Sequence, residues 1–170
     1  MTFADIVFDR FLEILRAPYT YSDMLWSLAP VVAALLLIEL YFGRYKHEEL
    51  GWNTAFGNTL VLLFVSIDLF RRLYTTGTLH LENPKLMIAA IVAVFGILLS
   101  FIDFFHLLPK RLAWDVSSKT PMNFLACIAV ILVYAEIPLD RITFFASLIL
   151  GILVAAILKS MQIFIPEAEE

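Results

Sequence analysis

Between residues 86 and 108 the chain is apolar except at Ser100, Asp103 and His106. About 20 such residues wound as a helix cross the roughly 30 Å hydrocarbon core of a bilayer. The block is not alone: similar stretches cover about 24–43, 53–70 and 122–137, and a fifth runs from just after Asp140 to about 165. The chain is 61% hydrophobic and 16% charged, whereas a soluble domain is nearer half apolar and a quarter charged. Length alone would suit one soluble domain, but the blocks point to lipid as the solvent.

The opening residues behave differently. Thr2, Asp5, Asp9, Glu13 and Arg16 recur at steps of three and four, which makes one narrow polar stripe on an otherwise apolar helix. Such a helix beside a membrane span lies flat in the interface or packs on the bundle, and Pro18 is expected to stop it. Ser22 is expected to cap the first span, which carries Pro30 as a kink, and Asp140 to cap the fifth. The fold expected is therefore an all-α integral membrane protein. It has an amphipathic interfacial helix over 1–18, a bundle of five transmembrane helices over 19–165 and a short acidic tail over 166–170. Only "PLD" separates spans 4 and 5, which predicts a tight antiparallel hairpin.

Connections this short hold no folded domain, so any chemistry must lie within or at the edge of the bilayer. The net charge of −4 argues against a nucleic-acid partner. Cys127 is the only cysteine, so neither an intrachain disulfide nor a CxxC motif exists. The N-terminus, with acids among its first residues, does not read as a cleaved signal. The 12 Lys and Arg residues divide evenly between the two sides, so charge bias sets no orientation. A multi-pass protein of the plasma membrane is the expectation.

Glu39, Asp68, Asp103 and Glu136 each fall near the C-terminal end of a span. A charge at the bilayer centre costs roughly 2.5–3.5 kcal/mol on insertion scales, and less near an interface. Partners close in sequence are Arg44 for Glu39, Arg71 or Arg72 for Asp68, His106 or Lys110 for Asp103, and Arg141 for Glu136. Alternating helices put Glu39 and Asp103 toward one membrane face and Asp68 and Glu136 toward the other. The two layers suit ion entry and exit, or equally the anchoring of helix ends.

Two alignments suggest a repeat. "IELYF" at 38–42 resembles "IDFFH" at 102–106, and 53–68 lies without gaps on 121–136. Spans 1–2 and 3–4 would then be parallel repeats about an axis along the membrane normal. Span 2 adds Asn53 and Asn58 to the polar candidates. Asn53, Gly57, Asp68 and Arg71 share one face with Val61 and Phe64 between them, as in a hydrophobic constriction or a packed helix with wet ends. Small residues at steps of three and four in span 3 (Ala89, Ala93, Gly96, Ser100) and span 5 (Ser147, Gly151, Ala155) let helix backbones approach closely. The span 5 set is expected to face a neighbouring subunit in a homo-oligomer.

His47, His80 and His106 are the only histidines, and their spacing specifies no metal or haem site. No P-loop, G-x-S-x-G or H-E-x-x-H motif occurs, and "HEEL" at 47–50 reads as a solvated loop. Neither cofactor nor metal is expected. A cation or proton channel or transporter, with Glu39, Asp68, Asp103, Glu136, Asn53, Asn58 and His106 as pathway candidates, ranks first. A structural or assembly protein ranks second, and an intramembrane enzyme or redox carrier a distant third.

Overall fold

A computed structural model describes residues 2–45 and 51–166. The "HEEL" loop with His47 and the tail from 167 onward lie outside the described residues.

The helices are α1 (Phe3–Thr20), α2 (Leu25–Arg44), α3 (Trp52–Thr75), α4 (Pro84–Phe104), α5 (Lys110–Val116), α6 (Lys119–Tyr134) and α7 (Arg141–Phe164). Five segments are long and apolar enough to span a membrane: Ser22–Arg44, Trp52–Thr75, Pro84–Phe104, Lys110–Tyr134 and Arg141–Phe164. The chain is a polytopic, all-α integral membrane protein.

Several boundaries differ from expectation, each for a local reason. Pro18 does not stop α1. It forfeits its own bond to the preceding turn, but the Thr20 hydroxyl bonds the Arg16 carbonyl (3.3 Å) and Tyr21 N–H bonds the Ala17 carbonyl (2.8 Å), so the last turn closes. At the other end Thr2 and Asp5 form a reciprocal capping box. Ser22 is not a cap; it opens a 3-10 turn, Ser22–Met24, and α2 starts without a side-chain cap. The expected cap at Asp140 is present, its carboxylate accepting from Thr143 N–H at 2.7 Å.

Helix α3 runs past residue 70 to Thr75, because Gly77 (φ 68°) supplies the left-handed turn that ends it. Thr78 N–H reaches the Leu73 carbonyl (2.9 Å) and Gly77 N–H the Tyr74 carbonyl (3.1 Å), a Schellman closure. Arg71 and Arg72 thus belong to the helix. The same closure ends α4 at Phe104, well before Pro109, with His106 (φ 53°) in the left-handed position. Leu107 N–H bonds the Ile102 carbonyl at 3.0 Å there. Span 4 is not one short helix: α5 precedes α6, and α6 ends at Tyr134. Glu136 (φ 55°) then redirects the chain.

Helix α6 is the axis of the bundle. Its 16 residues make about 24 Å of helix, and most of its side chains from Met122 to Tyr134 are buried. It is apolar on nearly every side because it has neighbours on nearly every side: α2, α3, α4 and α1 all pack on it. Helix α3 packs most extensively on α4, while α2 and α3 barely meet. Helix α2 lies on α6, and α4 lies on α3. The tight hairpin expected of spans 4 and 5 does not form; α7 packs chiefly on α1 and α2. Helix α1 is docked on the bundle through Val7, Ile14 and Ala17, with Phe3 edge-on to Phe145 at 5.8 Å, while Phe8 stays exposed.

Candidate functional site

The four acids meet four different fates. Glu39 is 2% exposed and its partner is not Arg44. Lys119 Nζ sits 3.2 Å from its carboxylate, the Thr120 hydroxyl donates at 3.0 Å, and the Gln162 amide donates from α7. One carboxylate thereby joins α2, α6 and α7. Arg44 instead donates to the Pro166 carbonyl at 3.4 Å.

Asp68 joins α2, α3 and α6. It accepts from Arg71, as expected, with Nη2 at 2.6 Å and Nε at 3.2 Å. It also accepts from Tyr134 Oη at 2.9 Å and from the Ser27 hydroxyl. Arg72 faces elsewhere: it pairs with Asp23 at 3.5 Å and covers the Tyr134 ring at 4.8 Å.

Asp103 is different. It is 1% exposed and neither carboxylate oxygen has a hydrogen-bond partner. Ser117, whose hydroxyl is likewise buried and unpaired, lies beside it, and His106 is within electrostatic range. Lys110 lies over the Trp114 ring at 4.2 Å. Other buried atoms without partners belong to Trp114, Asn123, Thr143 and Ser147; among the described residues Asp103 is the one ionisable side chain in that condition. An isolated carboxylate in such a place is costly unless it carries a proton or a cation.

Other polar side chains lie along the α3–α4 interface toward this end of α4. His106 is exposed and its ring stacks on Trp52 at 4.1 Å. Asn58, buried, donates to the Ser117 carbonyl at 2.9 Å and fixes the α5–α6 junction on α3. One turn deeper, Ser100 and Thr59 share a hydrogen bond of 2.9 Å. The next turn holds Gly96, where an added Cβ would come within 2.9 Å of Leu63 Cδ2 and 3.0 Å of Leu62 Cβ. The polar column stops at that apolar contact.

Glu136 is exposed in the turn after α6, and the pair expected with Arg141 does not form among the described residues. It and His106 are the two non-glycine residues with positive φ among those described, backbone that persists where the surroundings over-determine it.

The stripe Asn53, Gly57, Val61, Phe64, Asp68, Arg71 neither lines a constriction nor packs away. Asn53 and Gly57 are exposed, Phe64 is 70% exposed, and the deeper members wall an open cleft between α2 and α3. The small residues of α4 do pack, with Ala89 fully buried and Gly96 against α3. Those of α7 do not all point outward as expected for a subunit contact: Gly151 lies over Phe124 of α6, its would-be Cβ 3.0 Å from Cε1, and Ala155 is exposed.

Proximity in sequence missed Lys119, Thr120, Gln162, Ser27, Tyr134 and Ser117. The available signal was depth: where one span ends with an acid, donors lie at the start or end of other spans on the same side. Among the described residues no three His, Cys, Asp or Glu side chains gather as metal ligands. Comparison with family models, with curated proteins and with solved structures finds no match to the chain.

Proposed function

We propose that this polytopic membrane protein is a proton carrier in which Asp103 takes up and releases the transported ion. The observation that carries the reading is the full burial of an acid whose one neighbouring donor, the Ser117 hydroxyl, makes no hydrogen bond of good geometry to it. A metal cation needs several oxygen ligands at once, and the surroundings of Asp103 offer chiefly the Ser117 hydroxyl; a proton needs one. His106, exposed and held against Trp52, is the group from which a proton reaches Asp103, and Ser100 and Thr59 extend the column inward. Closure at Gly96 and Leu62 fits a carrier that must rearrange better than a standing pore.

Liposomes holding the purified protein and a trapped pH indicator test this. An imposed gradient should collapse faster than in empty vesicles, and Asp103→Asn should abolish the difference while the variant stays folded. No protein-dependent flux from correctly inserted protein overturns the reading.

A second reading rests on a separate observation. Glu39 and Asp68 each bind a cation and side chains from two other helices, as braces in a structural or assembly protein would. Under it Glu39→Gln lowers stability and no variant changes flux.

A further inference from the structure

Where α3 ends and α4 begins, a cleft of about 300 Å³ opens beneath the α3–α4 loop against the end of α6. Its lining is polar: Arg72, His80 and Lys85 share it with Glu136, Thr76 and Asn83. Lys85 is only 9% exposed. Its ammonium donates to the Ile137 carbonyl, which leaves two of its three N–H groups uncommitted.

The neutral donors of the cleft are largely engaged already. Thr76 Oγ1 bonds the Arg72 carbonyl at 2.9 Å and Asn83 Nδ2 the Thr78 carbonyl at 2.8 Å. The His80 ring makes no hydrogen bond among the described residues. The donors left to a ligand are therefore on Lys85, His80 and Arg72, with the second amide N–H of Asn83. Glu136 opposes them from within the cleft, and Asp23 pairs with Arg72 from outside. Asp23 is 76% exposed, where water screens its charge. Arg10 lies within electrostatic range of Lys85 but is itself paired with Glu13 at 3.3 Å and Asp140 at 3.9 Å, and Glu136 acts more strongly on Lys85.

We propose that this cleft binds a phosphate group, held by Lys85 and Arg72 with His80 completing the set. A group with several acceptor oxygens can take donors from the three basic residues that line one cleft, and charge-assisted bonds to it are the strong kind. The site lies at helix ends, where a lipid headgroup and a dissolved phosphate both arrive. The inference is independent of any proton carried by Asp103.

The whole chain in phosphate-free maltoside micelles is the test material. One arm titrates inorganic phosphate by calorimetry; the other adds phosphatidic acid and counts bound lipid by native mass spectrometry. Saturable binding in the first arm identifies a dissolved source, and in the second alone a headgroup. In either, Lys85→Met or Arg72→Gln should weaken binding at least about tenfold. Because Lys85 also holds the Ile137 carbonyl, Arg72→Gln and His80→Phe serve if Lys85→Met does not fold. Failure of both ligands to saturate overturns the proposal, as does binding that folded variants leave unchanged.

Discussion

Tyr134 donates its phenolic hydrogen to Asp68 across 2.9 Å, and that bond ties the buried axis of the bundle to the end of α3. The same ring lies under the Arg72 guanidinium. Tyr134→Phe keeps the ring and removes the donor. It should cost roughly 1 kcal/mol, the usual scale for a side-chain hydrogen bond between membrane helices, measured by reversible unfolding in mixed micelles. An Asp68 held by Arg71 alone would leave Tyr134→Phe neutral.

Glu39 and Lys119 form a buried pair, their side chains 3% and 13% exposed. Removing one partner leaves the other charge stranded, at a cost of about 3 kcal/mol or more. Glu39→Gln and Lys119→Met should each destabilise on that scale. The double variant should lose less than the sum, with a coupling of at least about 1 kcal/mol in the cycle. Additive losses would mean that the pair is incidental.

Gly96 and Gly57 offer a contrast along the chain. A methyl at Gly96 presses on Leu62 and Leu63, while a methyl at Gly57 meets nothing within 4 Å. Gly96→Ala should cost about 1–3 kcal/mol by overpacking. Gly57→Ala should be neutral or stabilising by about 0.5–1 kcal/mol, since it favours the helix without a clash. The same unfolding assay ranks them.

The sequence is legible where physics is local. The five spans follow from apolar length, the Asp140 cap from one side chain and its own helix, and the Asp68–Arg71 pair from a spacing of three. It is illegible where partners come from elsewhere. Arg44 follows Glu39 by five residues, off its helix face, whereas Lys119 starts a helix that enters the membrane at the depth where α2 leaves it. His106 and Glu136 end helices in a conformation usually given to glycine, which no pattern of apolar residues announces. The missing hairpin of α6 and α7 has the same origin, since Glu136 turns the chain aside.

Asp140 should tie stability to pH. The backbone N–H of Thr143, ahead of Arg10, holds its carboxyl below the usual range. A carboxyl lowered by folding stabilises fully above its unfolded value, about 3.9. That contribution fades as pH falls through the lower, folded value. Asp140→Ala should therefore lose about 1 kcal/mol at neutral pH and show a shallower loss of stability than the parent as pH drops below about 4. Equal slopes in unfolding curves across that range would remove the cap from the account.

On the proposed reading Asp103 carries an exchangeable proton inside the bundle. Infrared difference spectra of the purified protein, taken between acidic and alkaline buffer, read it directly. Among the carbonyl bands of the 16 Asp and Glu residues, one component should fade only well above the ordinary carboxyl range and be missing from Asp103→Asn. No component above the ordinary carboxyl range, or one that persists unchanged in Asp103→Asn, overturns it.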